Sequence, residues 1–386
     1  MTDIQVLDHA AQLPAEWDDL AGPGAGQLGR PWLRMSEDYA GVPMRYLLHY
    51  RAGALSSALA TALTFPVSPW LYTRTDTVLE FGARDGLPGA AECLASLTGG
   101  RAVPRSVEEA TRALSHPDET APVTEILMPS LVCGGRQLAR TRVLLREETA
   151  ETSAVVSSLI ARAEGVAAGF GARSIAFLYV DELDTPLRRA LDEQGYSSCV
   201  SAQDATLFLP VGGFDGYKAM LQRKQRQSIA AERRKLEAAG VKVEIEPLTE
   251  GLIELLADLE SQLFARHGGS WTPQQSAAAL QAITREFGPD AFVSTARLDG
   301  ALCGFTLVMR HRDDWYVHRA GFDYARIGDL PVYFEVTYNS IIEQAAANGV
   351  RALHFGSGAI QAKQLRGCTI STYFCAVKLL PGSDGR

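Results

Sequence analysis

The stretch that decides the fold covers residues 331–368 and reads PVYFEVTYNSIIEQAAANGVRALHFGSGAIQAKQLRGC. Its first part carries apolar residues at the spacing of a helical face that packs on a sheet. We expect this helix to end at Asn348-Gly349, because both residue types adopt the left-handed conformation that ends helices. Residues 350–355 then read as a short strand that runs into Gly356-Ser357-Gly358. Ligands in open α/β sheets bind at the carboxyl ends of strands, so this glycine turn is the first candidate for a functional site.

Length and composition predict a protein of two domains without metal or membrane spans. The chain has 386 residues, 46% of them hydrophobic, and a net charge of −8, which argues against a protein that coats nucleic acid as a whole but leaves room for a local basic patch. The six cysteines form no C-x-x-C motif, so no metal site is expected. Neither a signal-peptide core nor an apolar run of about 20 residues is present, so we expect a cytoplasmic protein without integral membrane association.

The same order of elements occurs twice along the chain. A long helix, a short strand, a short helix and a final strand are predicted over 151–209 and again over 331–380. The second half as a whole reads β-α-α-β-β-β-α-β-α-β. This pattern predicts an α/β protein with mixed sheets and two similar domains, over residues 1–213 and 214–386, which meet at the linker-like residues 210–215.

Residues 217–239 are predicted to form one strongly basic helix that ends at Gly240. Seven of these residues are Lys or Arg and only two are Glu, within an otherwise acidic protein. A basic helix is commonly a solvated surface, but it also suits a phosphate-rich ligand.

Three segments carry a resemblance to a known family. They are residues 221–229 (LQRKQRQSI), residues 333–342 (YFEVTYNSII), and residues 353–358 (LHFGSG) followed by Lys363 and Arg366. The chain resembles the GCN5-related N-acetyltransferases (GNAT), and among them the subgroup of Fem-type aminoacyl transferases and peptidoglycan biosynthesis or recognition proteins. The resemblance implies tandem GNAT-like domains, an N-terminal one that is degenerate and a C-terminal one that is catalytic. It also implies acyl transfer to a nitrogen, without a metal or a bound cofactor.

The resemblance leaves two acyl donors open. Ordinary members hold the pyrophosphate of acyl-CoA with a Q/R-x-x-G-x-G/A loop, of which residues 325–333 keep only Arg326 and Gly328. Asp329 would repel phosphate and Pro331 has no amide hydrogen, so aminoacyl-tRNA is the favoured donor and tRNA the expected partner. The expected acceptor is an amine or hydroxylamine nitrogen of a small biosynthetic or cell-wall-type precursor. The alternatives are an acyl-CoA-dependent N-acyltransferase and a non-catalytic module that binds anionic precursors.

The resemblance and the residue types together name candidate site residues. Lys363 would neutralise the oxyanion of the tetrahedral intermediate, and Arg366 would fix the glycine turn or hold an anionic group. The candidates for the general base are His318, Asp323 and His354. Those for substrate binding are Tyr333, Tyr338, Ser357, Arg366 and Trp271. Those for binding the donor phosphates are Arg223, Lys224, Arg226, Arg233 and Arg234.

Overall fold

A computed structural model describes residues 4–115, 121–134 and 140–381 of the chain. The described residues form the strands β1 (Ile4–Leu7), β2 (Met44–Arg51), β3 (Ala54–Thr64), β4 (Ser130–Cys133), β5 (Leu144–Leu145), β6 (Ser174–Asp181), β7 (Ser197–Phe208), β8 (Lys242–Pro247), β9 (Ala291–Leu298), β10 (Ala301–His311), β11 (Asp314–Phe322), β12 (Ala352–Gly356) and β13 (Thr369–Leu379). The α-helices are α1 (Glu16–Ala21), α2 (Arg30–Ala40), α3 (Thr75–Arg84), α4 (Ala90–Thr98), α5 (Val107–Ser115), α6 (Pro122–Leu127), α7 (Thr152–Gly169), α8 (Thr185–Glu193), α9 (Gly213–Met220), α10 (Arg223–Ala238), α11 (Glu250–Arg266), α12 (Pro273–Phe287), α13 (Tyr324–Ile327), α14 (Val332–Phe334), α15 (Ser340–Ala347) and α16 (Ile360–Gln364). The order of elements predicted for the second half is therefore confirmed.

The first compact unit comprises residues up to 203 together with residues from 371 onward. Its mixed sheet has the strand order β1-β2-β3-β4-β6-β13, with β5 paired to β3. All pairs are antiparallel except β4 with β6, which run parallel. The long helix α7 buries Leu159, Ile160 and Ala163 in an apolar core with the strands.

The second compact unit comprises residues 204–370. Its sheet has the order β7-β12-β11-β10-β9-β8, and again one pair, β11 with β12, is parallel among antiparallel neighbours. Helix α15 buries Ile341 and Ile342 in the core on one face of this sheet. The two units thus share one strand pattern, in which a single parallel pair follows a run of antiparallel strands.

The bounds of these units differ from the predicted domains. The chain passes from the first unit to the second within β7 and returns to the first within β13. Each unit is consequently completed by a strand from the other half of the sequence. The predicted boundary at 213 and 214 was placed at a loop of linker-like composition, whereas the structure changes unit inside two continuous strands.

Two helices differ locally from the prediction. The basic helix is interrupted, because Leu221 and Gln222 have extended backbones, and α10 begins anew with the side chain of Gln225 accepting the Gln222 backbone N–H. The helix before β12 contains a π-helical segment, Glu335–Asn339, all of whose residues are buried. Such segments are rare and are often found at functional sites.

Helix α11 lies very close to β11 in the second unit. Gly321 allows this approach, since a Cβ atom there would lie 2.5 Å from the backbone of Leu259 and Glu260. Beside this contact, the buried Arg319 donates to both carboxylate oxygens of Glu260, at 2.8 and 2.9 Å. None of the described helices is both long and apolar enough to cross a bilayer.

Candidate active site

The strands β11 and β12 part at their carboxyl ends. They are paired only over their first residues, the last pair being Tyr316 with His354, although β11 continues to Phe322. A register shift in the pairing of β10 with β11 shows that β11 carries a bulge at this level. The divergence opens the sheet at the carboxyl ends of its two parallel strands, which is where α/β sheets bind ligands.

Aromatic side chains connect the end of β11 with the end of β12. The ring of Phe322 contacts the ring of Tyr333, with centroids 5.5 Å apart. Tyr333 contacts Tyr338 (5.6 Å), and Tyr338 contacts Phe355 (5.0 Å). The hydroxyl groups of Tyr333 and Tyr338 are 3.0 Å apart. Burial, with the neighbouring Tyr333, raises the pKa of Tyr338, so this hydroxyl keeps its proton. The structure therefore brings these two predicted substrate-binding tyrosines together at the divergence of the strands.

The glycine turn after β12 is held by Lys363. The buried ammonium group donates to the carbonyl oxygens of Phe355, Gly356 and Ser357, each at 2.8 Å. Burial lowers the pKa of Lys363 to about 8, although Asp204 acts in the opposite direction. All three protons of the ammonium are thus engaged by the backbone. The role of Lys363 in neutralising an oxyanion stays a prediction. For this role, the ammonium group must give up its hydrogen bond to one of the three carbonyl oxygens and donate to the oxyanion instead.

A buried polar network surrounds Arg366. Its guanidinium group donates to both carboxylate oxygens of Glu232 at 2.8 Å and lies over the ring of Phe334. Asn339 in turn donates to Glu232 (3.3 Å) and to Glu335 (3.0 Å). The network joins α10, the π-helical segment and the end of α16. These contacts anchor Arg366 to α10, and both of its predicted roles, fixing the glycine turn and holding an anionic group, stay predictions.

Two partners in this network were not anticipated from the sequence, Glu232 and Glu335. Both are acids in or beside segments that the sequence analysis singled out for their basic or aromatic residues. Glu335 contacts Arg233, 102 positions away, and Glu232 contacts Arg366, 134 positions away, so no local pattern could have paired these acids with their arginines.

The predicted phosphate-binding residues divide into two groups. Arg233 is engaged with Glu335 (3.0 Å) and Glu343 (2.7 Å). Arg223, Lys224, Arg226 and Arg234 are exposed, and of these Arg226 donates to the backbone oxygen of Leu221. Arg233 therefore anchors α10, whereas Arg223, Lys224 and Arg234 are exposed without such an anchoring contact among the hydrogen bonds described above.

The remaining predicted residues lie in separate surroundings. Nε2 of His354 lies 3.0 Å from the carboxylate of the buried Asp314, which accepts a hydrogen bond from it. His318 is partly buried, and burial together with Arg319 lowers its pKa well below the usual range. Asp323 caps α13 by accepting the backbone N–H of Arg326 at 3.0 Å. Trp271 is buried against Phe264, with the guanidinium of Arg319 5.8 Å from its ring. The roles predicted for these four residues stay predictions.

Comparisons with known proteins agree with this geometry. Residues 223–364 match the model of the acetyltransferase (GNAT) domain family. The crystal structure of FemX is similar over 96% of this chain and 96% of its own, with 12% identity and a TM-score of 0.60. A tandem GNAT protein from the clavulanic acid biosynthesis pathway is similar over 99% of this chain and 100% of its own, with 13% identity and a TM-score of 0.53. No curated protein matches the sequence.

These findings confirm the predicted α/β fold with two tandem GNAT-like domains. The domain match supports an N-acyltransferase. Residues 223–364 thus match the GNAT domain family, and the chain as a whole has a fold similar to those of FemX and the tandem GNAT protein.

Proposed function

We propose that the protein transfers an aminoacyl group from aminoacyl-tRNA to an amine or hydroxylamine nitrogen of a small precursor. The observation that supports this donor most directly is the row of exposed cations on α10, beside the segment that follows β11. FemX and the tandem GNAT protein support the fold only, so the donor rests on the charges of this chain.

The exposed cations lie on one face of α10. At 100° per residue, Arg223 and Arg234 are separated by about three full turns and project in nearly the same direction. The opposite face carries Ile229 and Leu236, which are buried in the second unit. Arg223 and Arg234 are about 16 Å apart along the helix axis. This length exceeds a single pyrophosphate and suits several successive phosphates of a polynucleotide strand.

Helix α10 is fixed beside the segment where GNAT domains hold donor phosphates. The ammonium group of Lys235 donates to the carbonyl oxygen of Asp329, at 2.7 Å, and Arg233 is paired with Glu335. The segment itself begins with Asp323 as the cap of α13 and contains Asp329 and Pro331 before α14. Because an acidic side chain and a residue without N–H are unsuited to a pyrophosphate, these contacts favour phosphate binding by α10 over binding by the loop.

Charge reversal of Arg223, Lys224 and Arg234 to Glu should weaken tRNA binding roughly tenfold or more at moderate salt, because contacts to phosphates dominate such affinity. The slope of log K against log salt should also fall by about two to three. The measurement is binding of aminoacyl-tRNA over a range of salt, combined with transfer to hydroxylamine as a model acceptor.

A matched variant changes the same number of exposed cations on helices of the first unit, namely Arg112, Arg162 and Arg189. It should bind tRNA like the wild type. Equal loss in both variants would show an effect of net charge alone and would count against the proposal.

Thermal shifts with acetyl-CoA, CoA and charged tRNA separate the alternatives. A ligand at a hundred times its dissociation constant stabilises the folded state by about 2.7 kcal/mol. Stabilisation by CoA compounds alone would favour an acyl-CoA-dependent N-acyltransferase. Stabilisation by anionic precursors without turnover of any donor would favour a binding module.

A further inference from the structure

We infer that His354 is the general base that takes the proton from the acceptor nitrogen, and that Asp314 is the positioning residue that orients its ring. The inference rests on the proposed acyl transfer to nitrogen. It selects one of three candidate bases and assigns a role to Asp314, which the sequence analysis did not single out.

Asp314 holds one side of the imidazole ring. Its Oδ2 atom lies 3.0 Å from Nε2 of His354 and also accepts from the guanidinium group of Arg351. The carboxylate is fully buried, and its Oδ1 atom has no hydrogen-bond partner among the described residues. Burial alone would raise the pKa of Asp314, but the hydrogen bond with His354 and the charge of Arg351 bring it below the usual range. An ionised Asp314 can only accept, so Nε2 of His354 carries the hydrogen.

The other ring nitrogen is thereby left with its lone pair. Nδ1 lies 3.3 Å from the hydroxyl oxygen of Thr206, which is long for a hydrogen bond with an O–H donor. The ring of Tyr316 stacks on the imidazole, with centroids 4.4 Å apart and planes 9° from parallel. Asp314, Thr206 and Tyr316 therefore fix the ring from three sides, in the arrangement that a positioned base requires.

The placement of His354 sets it apart from the other candidates. It belongs to the last residue pair before β11 and β12 diverge, and its side chain is 19% exposed, so part of the imidazole is accessible to solvent. Asp323 is engaged as a helix cap. A general base becomes protonated during the reaction, and burial together with the charge of Arg319 disfavours the protonated form of His318.

His354, held by Asp314, can carry the proton of the acceptor nitrogen to the leaving group. The acceptor nitrogen replaces Thr206 as the donor to Nδ1 and attacks the acyl carbonyl carbon, so that the new C–N bond forms as its proton passes to His354. The ester C–O bond to the ribose of the tRNA then breaks. The proton on Nδ1 passes to the departing ribose oxygen, and His354 returns to its neutral form, while Asp314 stays ionised throughout.

The test compares His354→Gln and Asp314→Asn with the control Lys242→Gln. Lys242 is exposed on β8, away from His354 and Asp314 in the sequence, so its loss should change kcat by less than about threefold. His354→Gln should lower kcat by about 10²-fold or more. Asp314→Asn should lower kcat at least about tenfold, because an amide can donate to Nε2 and thereby favour the wrong tautomer. The double variant should be no slower than His354→Gln, since the two residues act as a unit.

Two further readouts separate catalysis from a structural role. The rise of kcat/KM with pH in the wild type should vanish in His354→Gln, and ¹⁵N chemical shifts should place the hydrogen of His354 on Nε2 in the wild type but not in Asp314→Asn. A His354→Gln variant that melts like the wild type and keeps both its kcat and its pH profile would overturn this inference alone. Absence of transfer by the wild type from both aminoacyl-tRNA and acetyl-CoA would overturn the proposed function as well.

Discussion

Replacing Gly321 by alanine should lower the free energy of unfolding of the second unit by about 3 kcal/mol. The added methyl group would lie 2.5 Å from backbone atoms of Leu259 and Glu260, and backbone cannot rotate away as the end of a side chain can. Helix α11 would have to move off β11. The movement would also stretch the buried pair of Arg319 with Glu260, which costs more than an exposed pair because both charges are out of water.

Denaturation by urea, followed by tryptophan fluorescence, measures this loss. The control is Gly251→Ala in helix α11, where a Cβ atom meets nothing within 4 Å. Its free energy of unfolding should stay the same or rise by up to about 1 kcal/mol, because alanine is the better helix former. If Gly321→Ala were as stable as Gly251→Ala, the close approach of α11 to β11 would be wrong.

The order of elements could be predicted from the sequence because it depends on local signals. The period of apolar residues and the glycine after Asn348 predicted the helix and strand that the structure contains, with β12 at Ala352–Gly356. The repeat of helix, strand, helix and strand predicted two units with similar sheets. Each of these features can be predicted from residues that are close together in the sequence.

What escaped prediction depends on residues far apart in the chain. Each unit is completed by a strand, β7 or β13, from the other half of the sequence. The local sequence does not predict this exchange, since both segments read as ordinary strands. The break of the basic helix at Leu221 comes from a polar cap, formed by Gln222 and Gln225, that is weaker than the usual Ser or Asp signal. The position of Asp314 beside His354 depends on the parallel pairing of β11 with β12.

Lys363 illustrates how the structure can suggest a second role for a residue that the sequence singles out. The sequence placed a cation after the glycine turn, and its chemistry suited an oxyanion. The structure adds three backbone carbonyls to its ammonium group, an arrangement that needs the left-handed backbone of Gly356, Gly358 and Ala359.

Lys363→Met should therefore lower the free energy of unfolding by roughly 3–5 kcal/mol, since it removes charge-assisted hydrogen bonds and leaves carbonyl groups without a donor. The control Lys242→Met, at an exposed position on β8, should change stability by less than about 0.5 kcal/mol. Turnover measured below the melting temperature of the variant then tests the oxyanion role separately. An unchanged kcat in the folded variant would limit Lys363 to holding the turn.

The pH dependence of stability gives an independent test of the same site. The pKa of Lys363 is about 8 in the folded state, against about 10.4 for an unfolded chain. Between these pH values the unfolded state binds more protons, so the contribution of Lys363 to stability rises with pH, by up to about 3 kcal/mol. The free energy of unfolding of the wild type, measured relative to that of Lys363→Met, should thus increase from pH 8 to pH 10. A difference that stays constant over this range would show that Lys363 titrates as it does in water and that its burial is wrong.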